Sequence, residues 1–160
     1  MSKNSDVVIY TDGACLGNPG PGGYGVVLLY GDHRKELSGG FRMTTNNRME
    51  IKAVIEGLKA LKRRCRATVY SDSEYVVNTV MKGWAARWRE NGWKRNKKEK
   101  AVNPDLWEEL LDLLSTQDVE LRWVRGHAGV TENERADRLA MAAAQQANLP
   151  PDPGYQRARL

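Results

Sequence analysis

With 160 residues, 41% hydrophobic and 28% charged, the chain is long enough to bury a core of its own, and its composition excludes a disordered or fibrous class. Its two cysteines, Cys15 and Cys65, make no disulfide framework, and the longest apolar runs fall far short of a membrane span; a single domain in a reduced, cytoplasmic setting is expected. The net charge of +5 is local: residues 82–100 hold eight basic and two acidic residues, a net of +6, which leaves about −1 for the rest.

Val7-Val8-Ile9-Tyr10 is a short run of apolar, β-forming residues that ends in Thr11-Asp12-Gly13, the pattern of a buried strand with a carboxylate at its C-terminal end. Ala14 to Gly25 carries five glycines and two prolines and reads as a loop whose backbone can approach a ligand closely. It lacks the lysine-serine/threonine ending of a phosphate-binding P-loop, and no helix follows it. Val26 to Tyr30 and Lys35 to Met43 read as second and third strands, completing an antiparallel meander. Thr44-Thr45-Asn46-Asn47-Arg48-Met49-Glu50 opens a helix whose stripe is Ile51, Val54, Ile55, Leu58 and Leu61. On this segment alone, Glu50 reads as the capping-box partner of Asn47 and needs no chemistry to explain it.

Ala67-Thr68-Val69-Tyr70-Ser71-Asp72-Ser73 repeats the strand-then-aspartate pattern, and Ser73 or Asp72 can cap a short helix running to Val80. The basic window follows, and it contains Trp84, Trp88 and Trp93. Trp84 and Trp88 lie four apart on one helix face, flanked by Arg87 and Arg89. Positive charge interleaved with tryptophan suits a surface that tracks a phosphate backbone and packs rings on sugars or bases. Asn103 or Asp105 begins a helix with Leu106, Leu110, Leu113 and Leu114; Val119 to Val124 alternates as a fifth strand. Gly126-His127-Ala128-Gly129 is a glycine-flanked loop before a last helix bearing Ala136, Leu139, Ala140, Ala143 and Asp137. Residues 149–160, rich in proline, are expected to form a loose tail behind a catalytic domain spanning 1–148.

Asp12, Glu50, Asp72 and Asp137 come from separate elements and could converge. Four anions that close would repel unless neutralised. All-oxygen ligands favour Mg²⁺ or Mn²⁺, and neither the cysteines nor the histidines have zinc spacing. Such a cluster beside a basic, tryptophan-bearing patch points to two-metal phosphodiester hydrolysis, that is, to a nuclease.

Six motifs in order, Thr11-Asp12-Gly13, Asn18-Pro19-Gly20-Pro21-Gly22-Gly23, Thr44 to Glu50, Ser71-Asp72-Ser73, Gly126 to Gly129 and Glu132 to Asp137, closely resemble type 1 ribonuclease H of the bacterial ribonuclease HI kind. The resemblance covers about residues 6 to 147. It implies an α/β fold with a five-stranded mixed sheet, in which strands 1–3 form an antiparallel meander and strands 4 and 5 run parallel to strand 1. It implies that Asp12, Glu50, Asp72 and Asp137 hold two Mg²⁺ ions, with Mn²⁺ able to substitute, and that His127 assists proton transfer or product release. It implies a monomer that cleaves the RNA strand of RNA·DNA hybrids internally, with little regard to sequence, leaving 5′-phosphate and 3′-hydroxyl ends. Residues 82–100 resemble the family's basic protrusion, with Arg87, Arg89, Lys94, Lys97 and Lys98 available to phosphates and Trp84 and Trp88 lining the DNA-strand channel. Cys15, Asn18, Asn46, Asn47 and Glu74 match positions facing the minor groove, and Thr45 and Asn103 match a DNA-phosphate site. Two positions depart from the pattern. Met43 stands where some relatives have arginine, and Glu74 stands where a neutral amide is common.

Overall fold

The computed structural model describes residues 6–126 and 129–155. Strands β1 (Asp6–Cys15), β2 (Gly20–Tyr30) and β3 (His33–Thr44) form the expected meander, followed by α1 (Asn46–Lys59) and β4 (Arg66–Ser71). Helices α2 (Glu74–Met81), α3 (Trp84–Glu90) and α4 (Pro104–Leu114) precede β5 (Asp118–Trp123), and α5 (Thr131–Ala144) comes last. The sheet order is β3-β2-β1-β4-β5, with β1, β4 and β5 mutually parallel and the meander pairs antiparallel. This is the mixed five-stranded sheet the sequence led us to expect.

Helices cover both faces. On one side Ile9, Val26 and Val69 pack with Ile51, Val54, Ile55 and Leu58 of α1, and the cluster extends through Val76, Trp107 and Leu110. Each such side chain, taken fully out of water, contributes about 1.5–3 kcal/mol of hydrophobic stabilisation. On the other side α5 lies almost directly on the backbone of β2. An added Cβ at Gly23 or Gly25 would run into the carbonyls of Ala140 and Ala136, so small residues on both partners set this close contact. That is why the stretch read as a glycine loop is largely strand: Gly22 to Gly25 pair in register with Cys15 to Asp12. Only residues 16–19 remain outside β1 and β2.

The end of the described chain differs from the expected loose tail. The Arg42 N–H donates to the Pro150 carbonyl at 2.9 Å, and Asp152 is buried, 4% exposed. Asp152 accepts from Thr44 Oγ1 at 2.7 Å and from Arg48 Nε at 2.7 Å. Arg48, itself buried, also pairs with Asp105 at 2.7 Å. A proline-rich composition announces only that these residues will not form a helix or a central strand; it is silent about a buried ion pair more than a hundred residues away in sequence.

Burial alone would raise Asp152 and Asp105, but hydrogen bonds from the Arg48 guanidinium, joined at Asp152 by the Thr44 hydroxyl, outweigh it and hold both below the usual carboxylate range. A folded-state pKa below the unfolded one contributes stability that is complete above the ordinary carboxylate pKa and is lost as pH falls through the depressed value. Thermal unfolding of the wild type is therefore expected to drop on acidification below about pH 4, with a shallower drop for Asp152→Asn. Arg48→Ala, which leaves buried Asp152 without its counter-charge, should cost about 3–5 kcal/mol in urea unfolding. A flat acid limb shared by wild type and Asp152→Asn would contradict this reading.

Candidate active site

Asp12 lies toward the C-terminal end of β1, the central and largely buried strand, whose alternation places Ile9, Thr11 and Gly13 toward α1 and Asp12 toward α5. Gly13 is the hinge of the arrangement. Its N–H donates to Asp12 Oδ1 and to Glu50 Oε1, each at 2.9 Å, so one backbone donor holds two carboxylates. An added Cβ at Gly13 would collide with the backbone nitrogen of Glu50 and lie 2.9 Å from its Cα. Here α1 touches β1 with no side chain between them.

The capping-box reading of Glu50 does not hold. Thr45 is the N-cap of α1, its Oγ1 accepting the Arg48 N–H at 3.2 Å, and Glu50 turns away from the helix end toward Gly13. Asp72 follows β4, and its turn is fixed from both sides. Ser71 Oγ accepts the Ser73 N–H at 3.1 Å, while Ser73 Oγ, rather than Asp72, caps α2 through the Val76 N–H. The Trp123 indole N–H donates to the Asp72 carbonyl at 3.1 Å. Gly126, opening the loop after β5, lies over the Asp72 carboxylate.

Asp12, Glu50 and Asp72 each offer an oxygen, and these oxygens lie within 4.8 Å of one another. Asp137 projects from α5 to Asp12, close enough for the two carboxylates to share a hydrogen bond. Burial, then the neighbouring charges of Glu50, Asp72 and Asp137, push the Asp12 carboxyl up to about 10. Burial and the charge of Asp72 also raise Glu50 well above the usual range, against the pull of the Gly13 N–H. Among the described residues, buried Asp72 Oδ1 has no hydrogen-bond partner. Crowded carboxylates with an orphaned acceptor among them make an all-oxygen donor set that suits a hard divalent cation. His127 lies outside the described residues.

The remaining sequence-predicted residues surround this cluster unevenly. Asn18 is exposed, and its Oδ1 accepts the Asn46 N–H at 3.0 Å, tying the β1–β2 turn to the start of α1. Asn47 is exposed beside it, Thr45 is half-buried, and the Cys15 thiol lies 3.5 Å from both the Gly20 and Thr44 carbonyls. Glu74 is exposed in the first turn of α2, where a carboxylate also favours the helix dipole. In the basic window Lys82 Nζ lies 5.6 Å from the Trp84 ring centroid, while Trp88 and Trp93 pack partly against the core. Arg87, Lys94, Lys97 and Lys98 are exposed. Arg89 instead donates to Glu108 at 3.0 Å and Asp112 at 3.1 Å, so it is held against α4. Asn103 precedes α4 in the left-handed region, at φ 61°, and uses its side chain on Arg48 rather than as a cap. Sequence reasoning missed Arg48, Asp105 and Asp152; their only local signal was an arginine within an otherwise motif-like helix start.

A model of the RNase H family matches residues 4–145. The chain belongs to the RNase H family. It is 69% identical to a ribonuclease H of Syntrophus aciditrophicus (strain SB) over 149 residues, covering 93% of this chain and 86% of that one. Among solved structures it is similar to LC9-RNase H1, described as a type 1 RNase H with the type 2 active-site motif. That likeness has a TM-score of 0.79 and 34% identity, covering 98% of this chain and 82% of that one. It is also similar to LC11-RNase H1, solved in complex with an RNA/DNA hybrid, with a TM-score of 0.67, 25% identity, and coverage of 88% and 98%. Family membership agrees with the sheet order and the covering helices.

Proposed function

We propose that this chain is a Mg²⁺-dependent endoribonuclease that hydrolyses the RNA strand of RNA·DNA hybrids, giving 5′-phosphate and 3′-hydroxyl ends. The observation that carries the proposal is the meeting of carboxylates from β1, α1 and the turn after β4 within 4.8 Å, with Asp137 of α5 against Asp12. Nearly the same fold in LC11-RNase H1, solved with an RNA/DNA hybrid, supports the choice of substrate.

Asp12, Glu50, Asp72 and Asp137 are the residues that would hold two Mg²⁺ ions, with Mn²⁺ as a substitute. The chemistry Mg²⁺ supplies at such a site is an acidified water for attack on phosphorus and charge stabilisation at the leaving 3′-oxygen. The protein's own contribution is to keep the carboxylates where they repel one another until cations arrive. Gly13 fixes Asp12 and Glu50 through one N–H, and Trp123 anchors the backbone of Asp72. His127, between Gly126 and Gly129, is suited to proton transfer at the leaving oxygen or to product release.

Strand choice follows from the surrounding groups. A 2′-hydroxyl both donates and accepts, and it is displayed in a wide, shallow minor groove. Asn18, Asn46 and Asn47 offer both kinds of group at short reach, with Cys15 and Glu74 nearby. Glu74, ionised, only accepts, so its contact is limited to donors. The opposite strand lies against Trp84 and Trp88, with Thr45 and Asn103 on one of its phosphates and Arg87, Lys94, Lys97 and Lys98 along its backbone. Phosphate and sugar contacts position without reading bases, so cleavage is largely independent of sequence. The same reading takes the protein as a monomer in the cytoplasm. Among the described residues no helix is long and apolar enough to cross a membrane.

A side-by-side digestion tests the proposal. RNA·DNA hybrid, duplex DNA, duplex RNA and single-stranded RNA are incubated with the protein in Mg²⁺, then with EDTA. Cleavage confined to the RNA of the hybrid, and lost with EDTA, is the expected result. Cutting of all four substrates, or activity that survives chelation, would overturn the substrate or the metal assignment.

A further inference from the structure

Arg48 spends every N–H it has inside the protein. Nε and Nη2 reach Asp152 at 2.7 and 3.0 Å, and Nη1 and Nη2 reach Asp105 at 3.0 and 2.7 Å. The remaining Nη1 hydrogen goes to Asn103 Oδ1 at 3.1 Å. A guanidinium has five donors and no acceptor, so only the amide oxygen of Asn103 can face it. The Asn103 NH₂ group must then point the other way. It does so beside a cleft of about 540 Å³ whose lining includes Lys100, Val102 and Gly154.

Between two carboxylates, Arg48 has no positive charge to spare for a ligand. Its effect on a ligand passes through the amide it orients. We propose that Asp152 is a positioning residue: by holding Arg48 it locks the Asn103 side chain with its N–H donors toward a DNA-strand phosphate. The segment from Pro150 to Gly154 thereby sets substrate affinity. This rests on the hybrid-cleaving function proposed above. Asp152 lies far in sequence from Asn103, and the connection exists because Thr44 and Arg48, itself paired with Asp105, hold Asp152 at the start of α1.

The lock makes a distinctive prediction because a neutral amide, unlike a lysine, releases no counterions when it binds phosphate. Cleavage kinetics are compared for wild type, Asp152→Ala, Asp152→Asn, Asn103→Ala and the Asp152→Ala/Asn103→Ala double variant at two salt concentrations, with thermal unfolding alongside. Asp152→Ala is expected to raise KM about threefold to tenfold with kcat unchanged and the salt slope unaltered. It should add nothing once Asn103 is already alanine, and Asp152→Asn, which keeps an acceptor for Nε, should recover most of the affinity and also serves if Asp152→Ala folds poorly. Additive effects in the double variant, a loss in kcat alone, or an unchanged KM would overturn the proposal. NMR of the Asn103 side-chain amide reads the lock without any substrate: its NH₂ should be ordered in the wild type and loosened in Asp152→Ala. Equal order in both sinks the lock. A wild type that cuts no hybrid sinks the functional reading and leaves the NMR result standing.

Discussion

Asp12→Asn should abolish hybrid cleavage, by about a thousandfold or more, and at the same time raise the melting temperature of the metal-free protein. Both effects come from one geometry. Asp12 is the member of the cluster in contact with each of the others' charges, and its carboxyl is pushed up to about 10 by burial first and by Glu50, Asp72 and Asp137 after it. Replacing it with a neutral amide of the same shape relieves a buried repulsion of about 1–3 kcal/mol. It also removes one of the carboxylates, with Glu50, Asp72 and Asp137, that would hold the cations, and loss of one such charge-stabilising group costs orders of magnitude in rate. Added Mg²⁺ should reverse the ranking in stability, because it stabilises only the protein that binds it. Gel cleavage with calorimetry in EDTA and in Mg²⁺ checks the pair of effects. A variant that cuts normally, or that melts lower than wild type without metal, would remove the basis for the metal assignment.

Gly13→Ala is the second variant with a large expected effect, and it acts through the backbone alone. The new methyl group has no space: it meets the backbone of Met49 and Glu50 rather than a side chain able to rotate away. Either α1 moves off β1 or the end of β1 buckles. Overpacking of this kind costs about 1–3 kcal/mol and sometimes more. A displacement of about 1 Å at Glu50 is expected to cost about a hundredfold in rate, although no carboxylate of the cluster is removed. Urea unfolding and hybrid cleavage together check it. Full activity with wild-type stability would mean that the contact between Gly13 and α1 is slack.

Several parts of this structure were legible in the residues. The two strand-then-aspartate runs ending at Asp12 and Asp72 are visible as composition, because a buried strand must be apolar and a carboxylate at its end must be there for another reason. The stripe of Ile51, Val54, Ile55 and Leu58 fixes the face that α1 turns to the sheet. Gly22, Gly23 and Gly25 were misread because the same residue serves a turn and a close approach, and only the position of α5 shows which. Glu50 was ambiguous for a related reason: its spacing from Asn47 fits a cap, and its contact with the Gly13 N–H spans thirty-seven positions. Arg89 looked available to phosphate until α4 placed Glu108 and Asp112 beside it.

By itself the sequence determined most of the strands and helices, the two strands that run into Asp12 and Asp72, and where positive charge gathers, because periodicity and composition are local properties written residue by residue. Only the tertiary structure decided that Asp12, Glu50 and Asp72 share one small volume and that the segment from Pro150 to Asp152 is anchored through Arg42, Thr44 and Arg48. Those facts depend on helix–sheet distances of close contact and on pairings between distant positions, which local preferences do not encode.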